Sequence, residues 1–444
     1  MDRTTQIQAW REYQRRLQRG ARRRNLLLQT PRLVLYGGIA FLFLAILFLI
    51  ISWVSAHLGR KDPSEVSREI LEEKPLHLER EALASLLGPE GLDSSHLGED
   101  LSMTIEGEPL IAKTSINADL QTYVTTLLRK SKTIQAAVVV LDPDDGRILT
   151  MVSYDHEGKN PTSNLCLEAT FPAASLFKIV SAAAAVEACG FYPDKSMAFE
   201  GGKYTLYKRQ LKPKNGRYVT KTTFRRAFAG SLNPVFGRIG IYVLGKDHLE
   251  VYSDRFMFNK KIPFDFPLPM SPIEVPEDDF GLAEIASGFN KRTLMSPLHA
   301  VLITSTIVNE GKMMNPWMIH SVANSEGKLL YTATPSSIAN PVTEETARIM
   351  RILMEDTVKY GTCRRAFQPM RRKKAFKGMT LGAKTGTIND KTDRFRVDWT
   401  VAYALPKKGS DGICIAVLAV HGEKLGIRAK DLSRYIVSHY FSSS

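Results

Sequence analysis

Three short stretches of this 444-residue chain carry groups suited to acyl transfer. Ser175-Leu176-Phe177-Lys178 sets a hydroxyl and an amine at i and i+3, neighbours on one helix face. A serine hydroxyl is a poor nucleophile until a base takes its proton. A lysine can be that base when burial or nearby positive charge lowers its pKa. The run Pro172–Ala188 is nearly uncharged and rich in Ala, which predicts a buried helix with a Pro at its start. Ser175 then falls in the first turn, where free N–H groups and the helix dipole favour developing negative charge.

Ser231-Leu232-Asn233 offers a second hydroxyl and an amide, able to relay a proton and hold a substrate carbonyl. Lys384-Thr385-Gly386-Thr387 follows the small residues Gly382 and Ala383 in an expected strand. Gly within a strand often marks a place where a ligand or another backbone must come close. Lys384 and Thr387 supply positive charge and a hydroxyl suited to a carboxylate. Each motif alone is weak. Ordinary frequencies give on the order of two S-x-x-K matches by chance. Ser325-Glu326-Gly327-Lys328 is such a match in an expected turn, and Ser115-Ile116-Asn117 repeats S-x-N.

The elements that must position these groups read as α+β. Asn117–Lys130 has the pattern of an amphipathic helix. Ala136–Leu141 and Arg147–Ser153 are strands joined by the turn Asp142–Gly146, at the edge of an antiparallel sheet. A polar hairpin is expected up to about Thr220, a helical stretch from Thr223, and helices within Gly281–Glu310 and at Thr343–Val358. Residues 359–380 read as a basic loop, expected to be solvated and mobile, with contact of the run 364–377 to anionic wall polymers or lipid headgroups as the alternative. Three strands, Leu381–Thr387, Trp399–Leu405 and Ile413–His421, and a helix at Asp431–Tyr440 close the chain. Strands at both ends with helices between imply one antiparallel sheet packed by helices.

The net charge of +14 is divided unevenly. Residues 1–32 hold nine Arg against Asp2 and Glu12, leaving +7, and the other 412 residues hold 51 basic and 44 acidic side chains, also +7. Half the excess sits in a short tail, which argues against a nucleic-acid partner. Leu33–Ala56 follows, 24 residues without Asp, Glu, Lys or Arg. At about 1.5 Å per residue it reaches across a membrane's hydrocarbon layer, and it exceeds the usual apolar length of a cleaved leader. The Arg tail predicts a cytoplasmic N-terminus. The expected organisation is therefore a basic tail (1–32), a transmembrane helix (33–56), a juxtamembrane stalk or small helical region (57–114) and one catalytic domain (115–444). Cys166, Cys189, Cys363 and Cys414 lack CxxC or metal spacing, and neither disulfides nor isolated thiols are favoured.

The ordered set S-x-x-K, S-x-N and K-T-G-T resembles the signature of penicillin-recognising serine enzymes. Over roughly residues 115–440 the chain resembles the transpeptidase domain of penicillin-binding proteins. Phe171–Glu187, Val219–Gly240, Phe280–Ile319 and Asp398–His421 all take part in that likeness. The resemblance implies that Ser175 attacks the penultimate D-Ala carbonyl of a peptidoglycan stem peptide with Lys178 as base. Ser231 would pass a proton to the leaving amine, held by Lys178 and by Lys384. Asn233 would bind the substrate amide, and Lys384, Thr385 and Thr387 its carboxylate, with Gly386 leaving room. The N–H groups of Ser175 and Thr387 would form the oxyanion hole, and an amine from a neighbouring stem would resolve the acyl-enzyme. No cofactor or metal is implied.

β-Lactams would acylate the same serine. The implied place is the bacterial cytoplasmic membrane, with the catalytic domain outside the cytoplasm, and a glycan polymerase is a candidate partner. A D,D-carboxypeptidase or serine β-lactamase would share Ser175 and Lys178 but use water as acceptor. A catalytically silent wall scaffold or a β-lactam sensor is the alternative from another class.

Overall fold

The computed structural model describes residues 98–443 apart from 106–107, 157–163, 213–218, 391 and 408–411, together with Arg80, Leu83 and Leu87. The main strands are β1 (Asp100–Ile105), β2 (Glu108–Thr114), β3 (Gln135–Leu141), β4 (Ile148–Asp155), β5 (Ile319–Asn324), β6 (Leu329–Thr332), β7 (Thr380–Asn389), β8 (Arg396–Leu405) and β9 (Ile413–His421). The main helices are α1 (Ala118–Arg129), α2 (Lys178–Glu187), α3 (Phe224–Ala229), α4 (Asn233–Ile239), α5 (Asp279–Ser287), α6 (Pro297–Val308), α7 (Glu344–Lys359), α8 (Arg364–Arg371) and α9 (Ala429–Ser443).

An antiparallel sheet of order β7-β8-β9-β3-β4 forms the centre. Alternation along β3 divides its apolar residues between two cores. Ala136, Val138 and Val140 join the cluster made with Leu120 and Val124 of α1 and Leu432 and Ile436 of α9. Ala137, Val139 and Leu141 face the opposite way, into the cluster of α2, α6 and α7. With both faces covered, β9 carries apolar side chains at every position of Ile413–Val420, which explains its lack of polar alternation. The hairpin of β3 and β4 lies at one edge and β7, carrying K-T-G-T, at the other.

Local signals set several ends. The Asn117 side chain caps α1 by accepting from the Leu120 N–H at 2.9 Å, so the first S-x-N match is a helix cap. The Ser325–Lys328 match lies in the turn between β5 and β6, where the Asn324 carboxamide oxygen accepts from the Lys328 N–H at 2.9 Å. The expected polar hairpin appears as Ser196–Phe199 paired with Thr220–Thr223.

The structure departs from the sequence reading at several places. Pro172–Ala188 is not one helix. Phe171–Pro172 pairs with Leu294–Met295, Ala174–Phe177 is a 3₁₀ turn, and α2 begins only at Lys178. Ala174, with φ of 50°, interrupts right-handed helical geometry just before the serine. The basic segment is no loop either. Ala366, Phe367 and Met370 are buried, so α8 is anchored while its Arg side chains face solvent. A stripe of three apolar residues at helical spacing outweighed the surrounding charge.

A second antiparallel sheet has the order β1-β2-β5-β6. β1 and β2, which the sequence reading gives to the stalk, form an antiparallel pair whose second strand joins β5 from far along the chain, and both belong to the same compact unit, 77–444. Arg80 joins them. Its guanidinium lies 3.0 Å from the fully buried carboxylate of Asp265, which also accepts from the N–H groups of Met318 and Ile319 at 2.5 and 2.8 Å. Leu83 and Leu87 enter the larger core. The expected basic tail, transmembrane helix and first part of the stalk lie outside the described residues. Among the described residues no helix is long and apolar enough to cross a membrane.

Candidate active site

The interrupted helix start, the α3–α4 turn, the end of α5 and the edge strand β7 converge on one cleft of about 450 Å³. Ser175, Ser231, Asn233, Thr385 and Thr387 line it. Lys178 and Lys384 are fully buried beneath.

Lys178 Nζ lies 2.8 Å from Ser175 Oγ, 2.7 Å from Asn233 Oδ1 and 2.5 Å from the Ser287 carbonyl oxygen. The Asn233 amide is oriented by its other end, since Nδ2 donates to the Tyr204 carbonyl at 2.8 Å. Two of the three neighbours can therefore only accept. A neutral Lys178 satisfies both with its two N–H groups and turns its lone pair toward the Ser175 hydroxyl. Burial holds the amine well below the usual lysine range, and the charge of Lys384 pushes it in the same direction. Among the described residues no carboxylate pairs with either amine.

Lys384 reaches in from β7. Its Nζ donates to Ser231 Oγ at 2.9 Å and to the Thr385 carbonyl at 2.8 Å, and it lies 5.6 Å from the Phe228 ring centroid. Burial lowers its pKa to about 7. Ser231 is held in left-handed conformation, φ 55°, where α3 ends and α4 begins. Such backbone is costly for a residue with a side chain and is tolerated where surrounding structure demands it. The sequence reading gave Ser231 two lysine partners. Its bond here is to Lys384, because the three bonds of Lys178 go to Ser175, Asn233 and Ser287.

Two glycines set the spacing around Ser175. A Cβ on Gly386 would sit 3.3 Å from the Ser175 nitrogen and 3.2 Å from Ala174 Cβ, so β7 runs directly past the Ser175 backbone. At Gly288, φ 64°, an added Cβ would meet the Ala174 carbonyl oxygen at 1.9 Å. Trp399 Nε1 donates to the Pro172 carbonyl at 2.9 Å and ties β8 to the segment leading into the serine.

The threonines expected to hold a carboxylate have partners of their own. Thr385 Oγ1 lies 2.6 Å from Thr362 Oγ1, and Thr387 Oγ1 donates to Asp398 at 3.2 Å. The other Asp398 oxygen accepts from the Ala429 N–H at the start of α9, at 3.1 Å. Arg396, Arg428 and Lys430 add positive charge around the opening.

Every motif residue named from sequence therefore lies in or under this cleft. Sequence reasoning missed the Ser287 and Tyr204 carbonyls, Thr362 and the three cations. A carbonyl leaves no trace in residue type, and Thr362 belongs to no recognisable pattern. The four cysteines are free, three of them buried.

A hydroxyl hydrogen-bonded to an amine of lowered pKa, a second such pair beside it and an adjoining strand edge define an activated-serine acyl-transfer centre on an α+β scaffold. Residues 136–433 match the family model described as the penicillin binding protein transpeptidase domain, and the chain belongs to that family. It is 24% identical over 331 residues to a peptidoglycan D,D-transpeptidase, PbpA, of Mycolicibacterium smegmatis, covering 65% of this chain and 62% of that protein. It is 27% identical over 273 residues to stage V sporulation protein D of Bacillus subtilis, covering 57% of this chain and 40% of that one. Two solved structures share the fold, each with a TM-score of 0.61 and 75% of this chain covered. They are the D,D-transpeptidase domain of a peptidoglycan glycosyltransferase from Eggerthella lenta, at 21% identity and 83% of its chain, and penicillin-binding protein A of M. tuberculosis as an imipenem acyl-enzyme, at 23% and 79%.

Proposed function

We propose that this chain is a membrane-anchored peptidoglycan D,D-transpeptidase that forms its acyl-enzyme on Ser175. The observation that carries the reading is the 2.8 Å contact of Ser175 Oγ with the fully buried Lys178 Nζ, whose other two bonds go to fixed acceptors. Lys178 takes the hydroxyl proton as Ser175 attacks the penultimate D-Ala carbonyl of a stem peptide. The N–H groups of Ser175 and Thr387 receive the oxyanion, the kind of fixed donor pair that commonly supplies the largest single contribution to such catalysis. Ser231, bonded to Lys384, hands a proton to the departing D-Ala amine. Asn233 takes the substrate amide, and Lys384, Thr385 and Thr387 hold the terminal carboxylate.

The acyl-enzyme is then resolved by an amine from a neighbouring stem, and a β-lactam acylates the same oxygen. The relative from Mycolicibacterium smegmatis supports this reading by its name, a peptidoglycan D,D-transpeptidase. The apolar run 33–56 behind an Arg-rich tail supports a single span, with the tail in the cytoplasm and the catalytic unit outside. A glycan polymerase is the partner that a short-tethered cross-linking enzyme would serve.

Fluorescent penicillin should label the wild-type chain stably and leave Ser175→Ala unlabelled. With a stem-peptide donor and an amine acceptor, mass analysis should find the cross-linked product. Hydrolysed donor alone, at every acceptor concentration, would replace this reading with a D,D-carboxypeptidase.

A further inference from the structure

Residues 359–380 hold eight Lys and Arg and no Asp or Glu. Beyond the N-terminal tail the chain has 51 basic and 44 acidic residues, so without this segment it would be close to neutral. The positive excess of everything after residue 32 is therefore concentrated in 22 residues. They are held in fixed structure by the buried side chains of α8 and by Phe376. Among the described residues the Arg and Lys of 364–377 form no ion pair, whereas Lys359 is paired with Glu355 at 2.6 Å.

Lys359, Tyr360, Arg364, Arg371 and Arg372 enclose a groove of about 480 Å³. Thr362, between Tyr360 and Arg364 in the chain, lines the catalytic cleft and touches Thr385. Two residues separate Cα atoms by at most about 8 Å, so groove and cleft adjoin. Lys430, which lines the cleft with Arg428 and Arg396, points its Nζ at the Thr362 carbonyl, 3.5 Å away. A cationic track thus leads from α8 to the serine, with Asp398 as the acid on the cleft side.

We propose that this groove binds the polymeric form of the donor, an uncross-linked glycan strand, through the carboxylates of stem peptides next to the one being acylated. The inference rests on the D,D-transpeptidase reading. A donor stem must end in a free carboxylate, so a strand carrying many stems is a polyanion, and guanidinium forks match carboxylates in paired, charge-assisted hydrogen bonds. The concave shape suits a strand better than a flat lipid surface. Tyr360 is the one large apolar side chain exposed in the segment.

The test uses full-length protein in detergent and soluble uncross-linked strands bearing stem peptides. In a Ser175→Ala background, which prevents turnover, Arg371→Glu/Arg372→Glu should weaken strand binding by about tenfold or more, and Arg371→Lys/Arg372→Lys, which keeps the charge but loses the fork, should weaken it by only about two- to threefold. Raising salt to about 0.5 M should weaken wild-type binding and bring it toward the charge-reversed variant. With Ser175 restored, the charge-reversed enzyme should react with penicillin and with a single stem peptide at the wild-type rate. Strand affinity unchanged by charge reversal would overturn the inference. So would loss of binding to phosphatidylglycerol vesicles with strand affinity intact, which would assign the groove to a lipid surface. Wild-type protein that fails to react with penicillin would refute the transpeptidase reading, while strand binding would still judge the groove.

Discussion

Gly288→Ala tests whether the spacing of backbone around Ser175 governs the chemistry. Gly288 closes α5 in left-handed conformation, φ 64°, which alone disfavours Ala by about 1 kcal/mol. The larger effect is steric. The new Cβ would stand 1.9 Å from the Ala174 carbonyl oxygen and 2.5 Å from its carbon, against a floor near 3.0 Å for real contacts. One backbone must therefore retreat by about 1 Å. Ala174 is the residue before Ser175 and is already held at φ 50°. Ser287, the residue before Gly288, supplies the carbonyl that Lys178 contacts. Either movement disturbs the serine–lysine geometry, and a misplacement of that size costs about 10²-fold in rate. That is close to 3 kcal/mol of transition-state stabilisation. Stopped-flow acylation by fluorescent penicillin measures it, with near-ultraviolet circular dichroism as the check on folding. A folded Gly288→Ala enzyme acylating within about threefold of wild type would refute this account of the site.

The two buried amines predict a bell-shaped pH profile of kcat/KM for a stem peptide. Lys178 must be neutral to accept the serine proton, so the rate falls at low pH as it protonates. Lys384, lowered to about 7, must be charged to hold the carboxylate, so the rate falls as pH rises through about 7. A profile flat above that value would remove Lys384 from carboxylate binding. Asp265→Ala removes the acceptor shared by Arg80 and the N–H groups of Met318 and Ile319, and should cost about 3–5 kcal/mol in urea unfolding. A loss below about 1 kcal/mol would mean that the 80-region adds little to the unit.

The residue types and their order along the chain were enough to single out Ser175, Lys178, Ser231, Asn233 and the Lys384–Thr387 strand, which the fold brings to one cleft. Each carries a particular functional group, and functional groups are written in the sequence. The sheet was legible for a related reason. Runs such as Ala136–Leu141 and Ile413–His421 admit few arrangements except strands buried on both faces. Tertiary structure decided what depends on backbone position and on neighbours remote in the chain. The left-handed turns at Ala174 and Ser231, the Ser287 carbonyl beneath Lys178 and the choice of Lys384 over Lys178 as partner of Ser231 all come from packing. The apolar run around Lys178 announces the burial of one amine, but the burial of Lys384 beside it, which lowers the basicity of both, depends on packing between segments remote in the chain.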